Sequence, residues 1–167
     1  MRTDELLSAA VDNIAGVVDA AVDGLTPDQL AQAPRPAANS IAWLVWHLTR
    51  VQDDHVAEVA GSEQVWTADG WARRFDLPFP DEVHGYGMST DDAARVHADA
   101  ELLTGYHRAV SARTKQYLGT LTDADLDRVV DTNWDPPVTL GVRLVSVVTD
   151  DLQHAGQAAY VRGLLTG

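Results

Sequence analysis

The chain has 167 residues, with 12 Lys and Arg against 25 Asp and Glu, a formal net charge of -13 and no cysteine. One domain spanning 1–167 with a single substantial core suits that length, and 46% hydrophobic against 22% charged residues excludes global disorder. The acidic balance disfavours nucleic acid and anionic bilayers as partners, and the missing cysteine excludes disulfides, thiolate metal sites and a cysteine nucleophile, so a thiol used in chemistry must come from outside.

From Asp4 to Asp23, Leu7, Ala10, Ile14, Val17 and Ala21 recur at three- and four-residue steps, one face of a first long helix that Gly24 ends. Thr26-Pro27-Asp28-Gln29 opens a short helix: Thr26 caps it, Pro27 suits the first helical position, and Gln29 completes a capping box. Pro34 and Pro36 close that turn. A second long helix is predicted from Ser40 to Gly61, with Ile41, Leu44, Leu48 and Val51 on its core stripe and Trp43, His47, Arg50 and Asp54 beside it. Gly61 fits the residue just beyond the helix.

Residues 62 to 88 carry Trp66, Trp71, Phe75, Phe79 and Tyr86. A plain linker is not this aromatic. The pattern predicts a long ordered excursion between the second and third long helices, with a short helix around Trp71. The third long helix is expected over 91–118, capped by Ser89 or Thr90, with Gly105 weakening it locally. Leu121-Thr122-Asp123-Ala124-Asp125-Leu126 then echoes Leu25 to Leu30, a second capped turn. Asp135-Pro136-Pro137 breaks the chain, and Thr139 caps a fourth long helix that continues to about Leu165. The β-branched run Val145 to Thr149 sits inside this longer helical period, and no segment shows strand alternation bounded by turns. Four amphipathic helices around one core predict an all-α four-helix bundle. The opening residues run into an amphipathic pattern with no signal-peptide core, and no apolar run of about 18 residues occurs. A cytoplasmic protein with no membrane span is therefore expected.

Six histidines are present. Asp150 precedes His154 by one helical turn, so carboxylate and imidazole share a face and can meet one metal ion. His47, between Val45 and Leu48, is the best third ligand from a facing helix. Two nitrogens and one carboxylate suit a catalytic divalent site with a position left for water or substrate, and zinc, nickel, iron and manganese are all compatible. The same spacing also occurs in surface ion pairs and helical hydrogen bonds. Trp43, Asp54, Gln157 and His84 are candidates for the surroundings of the site: Trp43 as a wall, His84 as part of a lid, Asp54 and Gln157 as hydrogen-bonding neighbours. Each also has a plain structural reading. Arg50 and Arg162 read as anion contacts or as ordinary helix residues. His55 is expected to be noncatalytic, and His97 and His107 read as helix-surface residues. No phosphate-binding loop, dinucleotide fingerprint, nucleophile elbow or basic stripe is present.

Ser40-Ile41-Ala42-Trp43-Leu44-Val45-Trp46-His47-Leu48 resembles the histidine-bearing second helix of the DinB-like metalloprotein superfamily. Asp151-Leu152-Gln153-His154-Ala155-Gly156-Gln157-Ala158-Ala159-Tyr160-Val161-Arg162-Gly163 resembles its last-helix signature. The resemblance implies a four-helix bundle with an internal pseudo-repeat, frequent homodimers and a divalent metal on three helix-borne side chains. Its first histidine falls on His47 and its last on His154. The common pattern has a histidine one turn before the last, where this chain has Asp150. The mycothiol-dependent maleylpyruvate isomerase branch carries an acid there, a glutamate rather than the shorter aspartate. The implied function is a metal-dependent transferase or isomerase that activates a low-molecular-weight thiol against a small electrophile. The implied cofactors are zinc foremost, nickel or iron otherwise, and mycothiol as cosubstrate, with bacillithiol or glutathione in other lineages. A metal-dependent hydrolase and a noncatalytic homodimeric scaffold are the alternatives. An apolar patch beside the second helix is expected to be covered by a twofold partner.

Overall fold

The computed structural model describes residues 1–167. Four long helices form the expected bundle: α1 (Thr3–Val22), α3 (Ile41–Ala60), α7 (Ala100–Leu118) and α8 (Leu140–Thr166). α3 packs against α7 and α8, and α1 packs against the same two, so α1 and α3 lie diagonally across the core. No helix is long and apolar enough to cross a membrane.

The ends of these helices follow from their caps. Ser40 Oγ accepts the Trp43 N–H at 3.2 Å, and Gly61 takes the left-handed conformation that ends α3. Thr26 and Gln29 exchange bonds at the start of α2 (Pro27–Ala31). Thr122 and Asp125 repeat the motif at a 3₁₀ turn over Asp123–Asp127, so the sequence echo is a structural one.

Two expectations are corrected. The third long helix starts at Ala100, not near Asp91. Ser89 caps only a single turn, α6 (Thr90–Ala93), and Asp99 caps α7 by accepting the Leu102 N–H at 2.7 Å. Between them Val96 and Ala98 are buried while Arg95, His97 and Asp99 are exposed, an alternation that belongs to extended chain. His97 is thus exposed, but off the helix. The second correction is a two-stranded antiparallel sheet, Val129–Asp131 with Val138–Thr139, where no strand was expected. Its strands are too short to show a period, and the Pro136-Pro137 turn between them sets the pairing. The run Val145 to Thr149 is helical.

The excursion after α3 is ordered and folds back on the bundle through α4 (Val65–Ala68) and α5 (Trp71–Phe75). Trp66 and Phe75 bury their rings against Tyr106 of α7. Gly105 is explained by Trp71: a Cβ there would lie 2.8 Å from the indole ring. Two fully or nearly buried charges on α3 hold the excursion in place. Arg50 donates to the carbonyl oxygens of Asp81 at 2.9 Å and Val83 at 3.3 Å, and to Gln64 Oε1 at 2.7 Å. Asp53 accepts the backbone N–H groups of Val65 and Trp66 and the hydroxyl of Tyr106, at 2.8 to 2.9 Å. Arg50 is therefore an internal clamp rather than a contact for an anionic substrate. Arg162 likewise turns to the end of α1, donating to the carbonyls of Ala21 and Asp23. The Trp43 and Trp46 side chains of α3 are buried, so the second long helix presents no exposed aromatic patch.

Candidate metal centre

α3 and α8 run side by side, and their facing surfaces bring together the three residues singled out from the sequence. One ligand atom from each of His47, Asp150 and His154 lies within 4.8 Å of the others. Asp150 Oδ1 and His154 Nε2 are 3.6 Å apart, and the rings of His47 and His154 meet edge to face at 4.9 Å. Atoms each about 2.0–2.2 Å from a tetrahedral zinc ion are themselves about 3.4 Å apart, so the Asp150–His154 spacing fits a shared ion. Asp150 Oδ2 is buried and has no hydrogen-bond partner. That orphaned acceptor is the kind of atom a bound cation satisfies.

The outer nitrogens of both imidazoles are occupied. His47 Nδ1 lies 2.5 Å from the carbonyl oxygen of His84 and donates its proton there. Its Nε2 lone pair is left to face the site. His154 Nδ1 is held at 3.0 Å by the Gln157 amide oxygen, which leaves its Nε2 free in the same way. Trp43 stacks on the His47 ring at 4.5 Å and is itself fixed by its indole N–H against Met88 Sδ. Trp43 therefore backs the ligand rather than lining the open cleft. Gly85 approaches so closely that a Cβ would lie 2.6 Å from His47 Nδ1, and its φ of +96° favours glycine as well.

The charges agree with this arrangement. Burial pushes the His47 imidazole below its ordinary range, toward the neutral form that binds metals. The contact with His154 lowers the Asp150 carboxyl, and the same contact raises His154. Asp151, next in sequence, is buried in the core, and burial pushes its carboxyl well above the usual range. It is not part of the cluster.

A cleft of about 460 Å³ opens beside the three residues, lined by His47 and Asp150 and by Asp54, His55, His84, Tyr86, Trp134 and Arg143. Asp54 accepts from Gln64 at 2.7 Å and contributes to the wall. The His84 carbonyl holds His47, and His84 is among the residues that line the cleft. His55, expected to be noncatalytic, also lines this cleft, where Arg143 donates to its Nδ1 at 3.2 Å. Arg143 in turn pairs with Asp131 at 2.9 Å, so the small sheet fixes a cation in the cleft wall. The spacing of Arg143, two turns before Asp150 on α8, is a sequence signal for its place in the cleft, whereas Gly85, Tyr86 and Trp134 are brought here only by the folded excursion and the turn of the sheet. His107, expected on a helix surface, is fully buried with its Nε2 unpartnered.

The mycothiol-S-transferase family model matches residues 6–167. A crystal structure described as the conserved protein of locus from Enterococcus faecalis superposes with a TM-score of 0.93 at 34% identity, covering 99% of this chain and 98% of that one. No curated protein matches the chain. The long helices, the two motif-bearing segments and the family match agree over almost the whole length. The chain belongs to the mycothiol-S-transferase family of DinB-like helical bundles.

Proposed function

We propose that the protein holds a divalent metal, zinc foremost, on His47, Asp150 and His154, and joins the sulfur of mycothiol or a similar low-molecular-weight thiol to a small electrophile. The observation that carries this reading is the convergence of three ligand atoms from two helices, two of their residues lining a cleft of substrate size. The family match supports the thiol and the transfer.

A divalent ion on this donor set supplies Lewis acidity, which favours a thiolate over a thiol near neutral pH. The chain's own residues do the rest. The His84 carbonyl and the Gln157 amide each hold an outer imidazole proton, so both inner nitrogens are available together. Asp150 is the single anionic donor of the set, which leaves a net positive centre suited to an anionic sulfur. Three protein ligands would leave a bound divalent ion room for a further ligand. The chain has no cysteine, so the attacking sulfur is the cosubstrate's. With an aryl chloride as electrophile, a carbon–sulfur bond forms, the carbon–chlorine bond breaks, and chloride departs with the bonding pair.

The test is a conjugation assay with 1-chloro-2,4-dinitrobenzene and, in parallel, mycothiol, bacillithiol and glutathione. The expected result is metal-dependent thioether formation with one of the three thiols, lost in His47→Ala. Conjugation at the uncatalysed rate with all three would reject the transferase reading.

A further inference from the structure

The cleft beside the metal cluster continues along α3 and α8 to a second group of side chains. His55 lies two turns beyond His47, and Arg143 two turns before Asp150, about 10–12 Å from the cluster at 1.5 Å per residue. Arg143 is the one Lys or Arg among the residues lining the cleft, and its charge is neutralised within the wall. It pairs with Asp131 at 2.9 Å, both side chains being mostly buried. It also donates to His55 Nδ1 at 3.2 Å, and its Nε is buried, out of reach of the cleft. The Asn133 N–H, 2.9 Å away, holds the Asp131 carboxyl below its ordinary range, so it is ionised at neutral pH. The charge left uncompensated at this end is negative: Asp54 lines the cleft, and Glu58 lies 4.0 Å from His55.

Tyr86, Trp134 and Tyr160 are the exposed aromatic side chains, and the first two both line this cleft. We propose that the cleft takes an uncharged, electron-poor aromatic ring as the electrophile, and that Asp131 selects against a carboxylate on that ring by cancelling the charge of Arg143. Calling the ligand the electrophile rests on the transferase reading; its chemistry rests on the cleft alone. An indole or phenol ring left open to water gains by stacking, and its electron-rich face favours a ring depleted of electrons. Arenes that a thiolate substitutes are of that kind. The distances agree. A metal–sulfur bond of about 2.3 Å and a near-attack separation of about 3.5 Å, with the length of a substituted benzene ring, reach from the cluster to Arg143. The substituent opposite the attacked carbon therefore sits beside the Arg143–Asp131 pair. A carboxylate there meets Asp54 with no free cation to compensate it.

The test needs neither turnover nor metal. The full chain, stripped of metal by chelation so that a carboxylate finds no ion, is titrated with 1,3-dinitrobenzene and with 3,5-dinitrobenzoate. Binding is followed at the Trp134 indole N–H by nitrogen-15 NMR, the signal being identified with Trp134→Phe. Wild type is expected to bind the neutral ring about tenfold more tightly, the effect of like charges a few ångströms apart in a partly dry cleft. Asp131→Asn frees the charge of Arg143 and should abolish or reverse that preference. Arg143→Gln leaves Asp131 uncompensated and should widen it. Asp69→Asn, which removes an exposed acid outside the cleft, should keep it as in wild type. Helical circular dichroism should be the same for all. Wild type that binds the benzoate as tightly as the neutral ring, or a Trp134 signal that neither ring moves, overturns the proposal. So does a preference unmoved by both Asp131→Asn and Arg143→Gln. If the binding results hold and no thioether forms in the conjugation assay, the transferase reading fails and the charge selection stands.

Discussion

The carbonyl oxygen of His84 lies 2.5 Å from His47 Nδ1, joining the excursion back to the middle of α3. The excursion therefore sets the tautomer and the ring angle of a metal-binding candidate. Gly85 is what lets the backbone come so near. Gly85→Ala places a methyl group against the imidazole and puts a non-glycine residue at a φ of +96°. Zinc affinity by isothermal titration is expected to fall about 10- to 100-fold, the usual effect of disturbing a ligand's outer partner. Helical circular dichroism should be unchanged. An unaltered affinity would mean that the excursion does not govern the site.

The clamp beneath that contact makes a second prediction. Arg50 is fully buried and satisfies two carbonyls of the excursion, the Gln64 amide oxygen and, at 4.0 Å, the Asp53 carboxylate. Arg50→Met removes the donor to these acceptors and leaves Asp53 without its cation. Denaturant titration should show a loss of about 3 kcal/mol, typical of breaking one side of a buried charge network. Hydrogen exchange should accelerate in residues 81–85 more than in α1. Equal acceleration everywhere would show that Arg50 supports the bundle as a whole and not the excursion.

Much of this arrangement is legible in the chain because it is local. Ser40 and Gly61 bound a helix by their own chemistry, and Asp150 and His154 share a face by spacing alone. The capping boxes at Thr26 and Thr122 are visible four residues at a time. What escapes is set by distant partners. Nothing near Arg50 in sequence reveals that its guanidinium closes on Asp81 and Val83. Nothing near Gly85 reveals the imidazole it must accommodate. The start of α7 is ambiguous in the sequence because Ser89 and Asp99 are both good caps, and only the burial of Val96 and Ala98 in extended chain decides for the second. His107 looked like a surface residue because its neighbours Arg108 and Gly105 are not core-forming, yet it sits on the inward face with Leu103 and Val110.

That buried histidine yields a pH prediction. Burial lowers the His107 imidazole to about 4 from its ordinary 6.5. The unfolded chain thus binds a proton below about pH 6.5 that the folded chain refuses until about pH 4. Stability from this group is complete above pH 6.5 and is lost as pH falls toward 4, by up to about 3 kcal/mol. His107→Leu should remove that part of the acid sensitivity. Urea titrations of both proteins between pH 7 and pH 4.5 should diverge progressively, with wild type losing more. Parallel curves would show that His107 titrates in the folded chain as it does in the unfolded one.

The central claim is that His47, Asp150 and His154 form one metal site, and zinc titration of protein purified without a histidine tag tests it most directly. Wild type should bind one ion per chain. His47→Ala and His154→Ala should each lose stoichiometric binding, since each removes a neutral imidazole that water replaces poorly. Asp150→Asn should weaken binding by removing the anionic donor, Asp150→Glu should retain it, and exposed His97→Ala should match wild type. Equal affinity for wild type, His47→Ala and His154→Ala, or no binding by wild type, would contradict the account.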